Sequence, residues 1–501
     1  MSVLYVKKLD ESTLRYDSDE EGILYELNDY FSFLTPNYKY DRRFQNHLWD
    51  GMIHLCPPKR KTTMFGLYHR IKDFCRERGY EFVDQTENHV RVIPDNLDSV
   101  DDFIETLNLP FTPRDYQVGA FKFAVENNRG ILLSPTGSGK SLILYMLLRW
   151  HLKFDRKICL IVPSTSLVEQ MISDFDDYSK DDPSFNARKI VKPLYAKTNT
   201  DPFNEQVVVS TWQSLMHYDK ELMETWDVVL NDEVHGAQSK VVSDIVGKAK
   251  NAPYKIGTTG SLSGKDMHEF ILTGLFGKIY QVTTTKDLQD EGTLSQMRIF
   301  MITLKHNKDA VKSFYNKIYN ATNKKPTYAD EVDYLCDDPR REKFVRNLAC
   351  ACKGVTMVLF NRKKQGLDLY NLIKEKVGDT RAVFHIDGDV DAETREKIRK
   401  EIFDKNDAIL CASAQTSSTG INIPSIANVI LCPSKSRIRN LQSIGRSLRL
   451  SEKKEIATIF DIVDDFSSYR RIKSYSVKHG LDRYELYQEQ GFDIAFKTID
   501  F

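Results

Sequence analysis

Residues 131–141 read Ile-Leu-Leu-Ser-Pro-Thr-Gly-Ser-Gly-Lys-Ser, and an apolar helical segment follows from Leu142. An apolar run that enters a loop of small residues, ends in Lys-Ser and opens a helix is the pattern of a phosphate-binding loop. Small residues let successive backbone N–H groups close around phosphate oxygens, and the helix N-terminus adds the positive end of its dipole. Lys140 brings a point charge to the β and γ phosphates, and Ser141 brings a hydroxyl to Mg²⁺. The strict form of the pattern has glycine where Ser134 stands, but Gly137 and Gly139 still give the backbone its freedom. The expected nucleotide contacts are therefore Pro135, Thr136, Gly137, Ser138, Gly139, Lys140 and Ser141.

The run that feeds this loop is one of five: ILLS (131–134), ICLIV (158–162), VVVS (207–210), DVVLN (227–231) and YKIGTT (254–259). A second set comprises TMVLF (356–360), AVFHI (382–386), AILCA (408–412), NVILC (428–432) and ATIFD (457–461). Near-continuous apolar strands separated by helical segments predict parallel sheets buried on both faces, hence two α/β domains. The join is expected near Asp290 to Leu294, with 306–340 forming helices or an insertion.

The run 227–231 ends in Asp232-Glu233-Val234-His235. Carboxylates at the C-terminal end of a parallel strand face the ligand side of the sheet. Asp232 can hold Mg²⁺ there, and Glu233 can take the proton of an attacking water. The second set has no phosphate loop but offers Gln442, Gly445, Arg446 and Arg449, which fall on one helix face at i, i+3, i+4 and i+7. Two guanidiniums on such a face suit a γ-phosphate approached from a neighbouring domain.

Residues 1–108 differ from the rest. Residues 1–35 are acidic, whereas 36–80 carry ten bases against four acids, interleaved with Tyr38, Tyr40, Phe44, Trp49, Phe65 and Tyr68. Arg42, Arg60 and Lys61 among these bases are candidates for holding nucleic-acid phosphates beside stacking aromatics. A solvated basic face over an aromatic core fits the same pattern, and the sequence leaves both readings open.

Composition sets the frame. Basic and acidic residues both number 71, so bulk charge argues neither for nor against a polyanionic partner. With 41% hydrophobic and 28% charged residues, the chain has the make-up of an ordinary globular protein, and 501 residues suggest about three domains. Apolar runs are too short to cross a bilayer and the first residues lack an apolar signal core, so an intracellular protein is expected. The eight cysteines lack paired C-x-x-C spacing, which argues against zinc.

Taken in order, these motifs resemble the superfamily 2 helicases and translocases. Arg114-Asp115-Tyr116-Gln117 stands where that family reads adenine, which implies nucleotide contacts for Arg114 and Gln117. The loops at Ser164, at Thr211 and Trp212, and at Asn361 correspond to those that touch the nucleic-acid backbone, although each alone could be a helix cap. Thr259 to Leu262 matches the segment that couples hydrolysis to movement, and Thr419 and Gly420 lie in a loop that senses nucleic acid and nucleotide. Gln442, Arg446 and Arg449 match the family's Q-x-x-G-R-x-x-R.

Residues 43–53, Asn231-Asp232-Glu233 and 391–395 bring the resemblance closer to the recombination and repair helicases of T-even-type phages. It implies two RecA-like parallel-sheet motor domains (109–292 and 293–501) preceded by a small α+β DNA-binding domain (1–108). It also implies ATP and Mg²⁺ as cofactors and a DNA-dependent ATPase on forks, displacement loops and Holliday junctions, able to anneal strands. A monomer in the bacterial host cytoplasm is expected, with replication and recombination proteins as further partners and no membrane. An RNA helicase, or an ATP-switched binding or annealing module, stands as the alternative.

Overall fold

The computed structural model describes residues 2–35, 38–85, 100–196, 198–235, 240–260, 262, 266–294, 296–414, 426–432, 456–469 and 474–501. The chain divides into two compact units, Met1–Thr283 and Thr284–Phe501.

In the first unit each expected run is a strand, and they lie in one all-parallel sheet of seven. In spatial order the strands are Ile279–Gln281, Arg129–Leu133, Tyr254–Thr259, Val228–Asn231, Ile158–Val162, Val207–Thr211 and Val191–Leu194. Ile158–Val162 and Val207–Thr211 are buried at every position, because helices cover both faces. The two outermost strands lack such runs. Edge strands pair on one side only, and one of these accommodates Pro193. The order brings three carboxyl ends side by side, with Leu133 opposite Thr259 and Gly257 opposite Asn231. The phosphate loop and Asp232-Glu233 thus flank a single strand end.

The same unit carries the small N-terminal domain. Its sheet runs Thr62–Met64, Thr13–Ser18, Val3–Lys8, Glu81–Asp84, and the alternating burial of Val3–Lys8 gives it one apolar face. Leu4, Val6, Leu14 and Tyr16 from that face pack with Ile23, Leu27 and Phe74 of the helices Glu21–Tyr30 and Tyr68–Arg78. This domain is locked to the amino-terminal edge of the large sheet. Arg129 is buried against the Glu11 backbone carbonyl and lies 3.5 Å from its carboxylate. Lys255 Nζ donates to Ser12 Oγ at 2.6 Å, and Arg70 pairs with Glu269 at 2.6 Å. Gly66 has no room for a side chain, since a Cβ there would stand 2.2 Å from the Thr273 carbonyl.

The second unit also holds seven parallel strands: Ala382–Ile386, Ala408–Ser413, Val355–Phe360, Ile426–Leu431, Ile456–Asp465, Gln296–Lys305 and Asp493–Asp500. Five were expected. The additional strands are Gln296–Lys305, whose apolar run 299–304 was not among the expected ones, and Asp493–Asp500, whose exposed charged positions interrupt its apolar residues. The polar stretch after 306 forms the helices Lys308–Thr322 and Tyr328–Asp337. Among the described residues no helix is long and apolar enough to cross a membrane.

Candidate nucleotide site and the cleft beside it

The phosphate loop joins Arg129–Leu133 to the helix Lys140–Leu152, and Gly137 and Gly139 sit at φ +89° and +80°. Those angles belong to the left-handed region that glycine enters without a steric penalty. Ser134, the departure from the strict pattern, is part of the construction. Its hydroxyl meets Ser138 Oγ at 2.5 Å, Ser138 Oγ in turn donates to the Pro135 carbonyl at 2.7 Å, and the Ser134 N–H donates to the Thr259 carbonyl at 2.8 Å. Gln117 braces the loop from behind, its Nε2 donating to the Ser138 carbonyl at 2.8 Å and its Oε1 accepting from the Arg114 N–H at 2.9 Å. A Cβ on Gly139 would stand 2.3 Å from Gln117 Nε2, so glycine is required there for space as well as for angle. Both ends of the Gln117 amide are thus engaged within the protein. The Arg114 side chain is exposed and donates to Tyr116 OH at 2.8 Å.

Lys140 Nζ lies 3.3 Å from Glu233 Oε1 and 3.3 Å from the Ser134 carbonyl. His235 Nδ1 stands 3.1 Å from the other Glu233 oxygen and 3.0 Å from Thr259 Oγ1. Asp232 Oδ1 accepts from Thr258 Oγ1 at 2.6 Å. From the neighbouring strand Thr258 therefore positions Asp232 directly and Thr259 positions Glu233 through His235. Glu233 has φ +56°, which a residue with a β-carbon adopts only under local constraint.

The two carboxyls are driven apart. Burial pushes both up, and the negative charge of Glu233 raises Asp232 further. At Glu233 that effect is outweighed by Lys140 and His235, which hold it well below the usual carboxylate range. The residue suited to accept a proton is thereby kept ionised, while its neighbour is left electrostatically short of a cation. Asp232 and the Ser141 hydroxyl are the side chains that could hold a divalent ion here, since Mg²⁺ keeps most of its waters and needs few protein ligands. Ser141 Oγ is 2.8 Å from Tyr178 OH. Neither Tyr178, Thr258 nor the bracing role of His235 was legible in sequence. Only the D-E-V-H spelling pointed at His235, and nothing marked the other two.

Farther along the same sheet edge, Ser164 caps the helix Thr165–Tyr178 and Thr211 caps Trp212–Leu215. Ser164 and Thr211 line a cleft of about 960 Å³ with Glu169, Tyr195, His217 and Tyr218. Trp212 is half-buried at the start of its helix. Asn361 is exposed directly after the strand Val355–Phe360 of the second unit. In the small domain Arg42 and Arg60 are exposed, while Lys61 Nζ is held by Asp17 at 2.7 Å. Thr419, Gly420, Gln442, Arg446 and Arg449 lie outside the described residues.

Three family models match the chain: the N-terminal domain of the DNA helicase UvsW over 4–84, the res subunit of type III restriction enzymes over 110–263, and the helicase conserved C-terminal domain over 340–451. The ATP-dependent DNA helicase uvsW of Enterobacteria phage T4 is 32% identical over 513 aligned residues, spanning 98% of this chain and 98% of that protein. The crystal structure of T4 UvsW covers 99% of both chains at 29% identity, with a TM-score of 0.50. The DNA 3'-5' translocase XPB2 of Sulfurisphaera tokodaii is 23% identical over 70% of this chain and 81% of its own length.

Proposed function

The chain belongs to the UvsW family of superfamily 2 DNA helicases, and from that premise we propose that it couples ATP hydrolysis to the remodelling of branched DNA. The observation that carries this reading is the convergence of Lys140, Glu233 and Asp232 on one strand end, next to a cleft whose walls include Ser164 and Thr211.

In this reading the loop 135–141 takes the triphosphate and Lys140 moves its charge from Glu233 to the γ-phosphate. Asp232 and Ser141 hold Mg²⁺, which when bound neutralises charge developing between the β and γ phosphates. Glu233, ionised and aimed by His235, receives the proton of the attacking water. Arg446 and Arg449, with Gln442 beside them, supply positive charge from the second motor domain, and Gly420 contributes to the nucleotide contacts. Gln117 acts chiefly by bracing the loop, and Arg114 remains available to the base. The DNA backbone is taken by Ser164, Thr211 and Trp212 on one motor domain and by Asn361 and Thr419 on the other.

The functional partition follows as 1–108 for DNA binding, 109–292 for ATP binding and 293–501 for the second motor domain. Arg42, Arg60 and Lys61 grip duplex or junction DNA, and the protein acts as a monomer in the host cytoplasm. Forks, displacement loops and Holliday junctions are its substrates in recombination, repair and replication restart, with strand annealing as a second outcome and replication and recombination proteins as its company. ATP turnover measured side by side with single-stranded, duplex, forked and four-way DNA tests this. Highest stimulation by forks and junctions is expected, whereas stimulation by RNA duplex alone would replace the reading with an RNA helicase.

A further inference from the structure

The small domain carries an excursion, described at residues 35 and 38–51, between the paired strands Ser32–Leu34 and Met52–His54. Short loops full of charge are commonly loose, but this one is braced from inside. The Thr35 N–H donates to the Gly51 carbonyl at 2.8 Å and closes its base. Tyr38 and Phe44 meet edge to face at 4.7 Å, and Gly51, at φ +83°, leaves space for the Tyr38 ring that a Cβ would enter at 2.6 Å. Asp41 caps the helix Arg42–Gln45 and holds the Arg43 guanidinium, which lies over the Trp49 ring at 4.8 Å.

A loop with that much internal structure could tuck its apolar groups inward. Instead Tyr40 is 82% exposed and Leu48 79%, the two most exposed large apolar side chains among the described residues. Lys39 and Arg42, on either side of Tyr40, are exposed as well. Rigid apolar groups beside free positive charge are complementary to nucleobases flanked by phosphates, since any base offers a π face to an aromatic ring.

We propose that this finger stacks on unpaired bases at the branch point of the DNA, with Tyr40 as the principal stacking group and Leu48 filling beside it. The mounting fits that task. Phe33 at the base of the finger packs on Phe270 at 4.9 Å, and Phe31 meets the same ring at 5.4 Å. Phe270 belongs to the helix Asp266–Phe276, which follows closely on Thr258 and Thr259, the partners of Asp232 and His235.

The inference rests on the DNA-remodelling reading above, but its test does not need turnover. A fork carrying 2-aminopurine at the branch nucleotide, bound by the full chain without ATP, should change its fluorescence, and the same probe deep in a duplex arm should not. The double variant Tyr40→Ala/Leu48→Ala should lose the branch signal and lower the ratio of fork to single-strand affinity by about tenfold or more. Tyr40→Phe should keep both, and an unchanged melting temperature shows that the exposed substitutions leave the fold intact. A branch signal retained by the double variant overturns the proposal, as does a parent protein without one, and would assign these side chains to a protein partner instead. If the parent gives the signal yet ATP never opens the fork, the remodelling reading fails while the finger stands.

Discussion

At the carboxyl edge of the first sheet the half-buried ionisable groups stand beyond the strands, whereas two fully buried carboxylates of the second sheet belong to a strand. Lys140 opens a helix and Asp232, Glu233 and His235 occupy a loop beyond the carboxyl edge, each with a partner close enough to exchange for a ligand. In the second unit Asp461 and Asp464 belong to the strand Ile456–Asp465 and are fully buried. Asp464 receives two bonds from Arg341 Nε at 3.0 and 3.1 Å, one from Arg341 Nη2 at 2.9 Å, and stands 3.0 Å from His306. Asp461 is held by Arg483 through two bonds of 2.7 Å and by Tyr487 OH at 2.9 Å. Helices that carry Arg341 and Arg483 are thereby bolted to the sheet. The same architecture places charge either at an edge, where its partners can change, or in the interior, where they cannot.

That contrast breaks most sharply at Glu233. Replacement by glutamine keeps the shape but cannot take a proton, so DNA-stimulated ATP turnover should fall by about 10²–10⁴-fold with no loss of thermal stability. Lys140→Ala should lower turnover by about 10²–10³-fold in the same assay. Turnover within a few fold of the parent for Glu233→Gln would remove its role as base.

The converse variant is Asp464→Asn, which leaves Arg341 buried without its counter-charge. A loss of about 3–5 kcal/mol in unfolding free energy is expected, read by urea titration, with turnover per folded molecule unchanged. The pH dependence has a definite sign. Burial alone would raise the Asp464 carboxyl, but Arg341 and His306 outweigh it and leave the folded pKa lowered. The stabilisation is then complete above the unfolded value of about 3.9 and is lost as pH falls through the folded value. The asparagine variant should lack that part of the acid transition, and an unaltered acid limb would show that the charge is not what binds the helix.

Much of the first unit was legible because its chemistry is local. The loop 135–141 and the pair Asp232-Glu233 are contiguous in sequence, and the five apolar runs mark buried strands without ambiguity. What escaped was mostly amphipathic or distant. Asp493–Asp500 exposes much of its length and shows no apolar run, Gln296–Lys305 was passed over although its residues 299–304 are largely apolar, and the Arg341–Asp464 pair spans 123 positions. The docking of the small domain was equally hidden: Phe270, Gly66 and Arg129 look like any core phenylalanine, turn glycine and surface arginine until the two surfaces meet.

That docking gives a third way to probe the comparison, because it adds ring packing to its ion pairs. Phe270 is half-buried and touches Tyr30, Phe31 and Phe33. Phe270→Ala should cost about 3 kcal/mol, the lower end for a large aromatic, and should speed limited proteolysis of the small domain. Unchanged cleavage kinetics would mean that the polar contacts of Arg129 and Arg70 hold the domain unaided.

The smallest expected effect lies at Lys255, on the strand whose far end positions Asp232 and His235. Its Nζ is buried, donating to Ser12 Oγ at 2.6 Å and the Val246 carbonyl at 3.1 Å, with no carboxylate among the described residues bonded to it. Burial first, and the nearby Arg129 second, push its pKa down to about 6. Unfolding returns it to the ordinary lysine value of about 10.4, so between the two values the unfolded chain binds the extra proton. Stability should therefore rise as pH climbs from about 6 towards 10. Lys255→Met removes the titration, and at pH 7 it should gain about 1 kcal/mol, because it removes the cost of deprotonating the lysine on folding while Ser12 and Val246 each lose a donor. Calorimetric melting across that pH range should give a flatter profile for the variant than for the parent, converging with it in alkali. Parallel profiles would show that Lys255 keeps its proton in the folded state, and an edge position would then tolerate an unpaired buried charge that the interior of the second sheet does not.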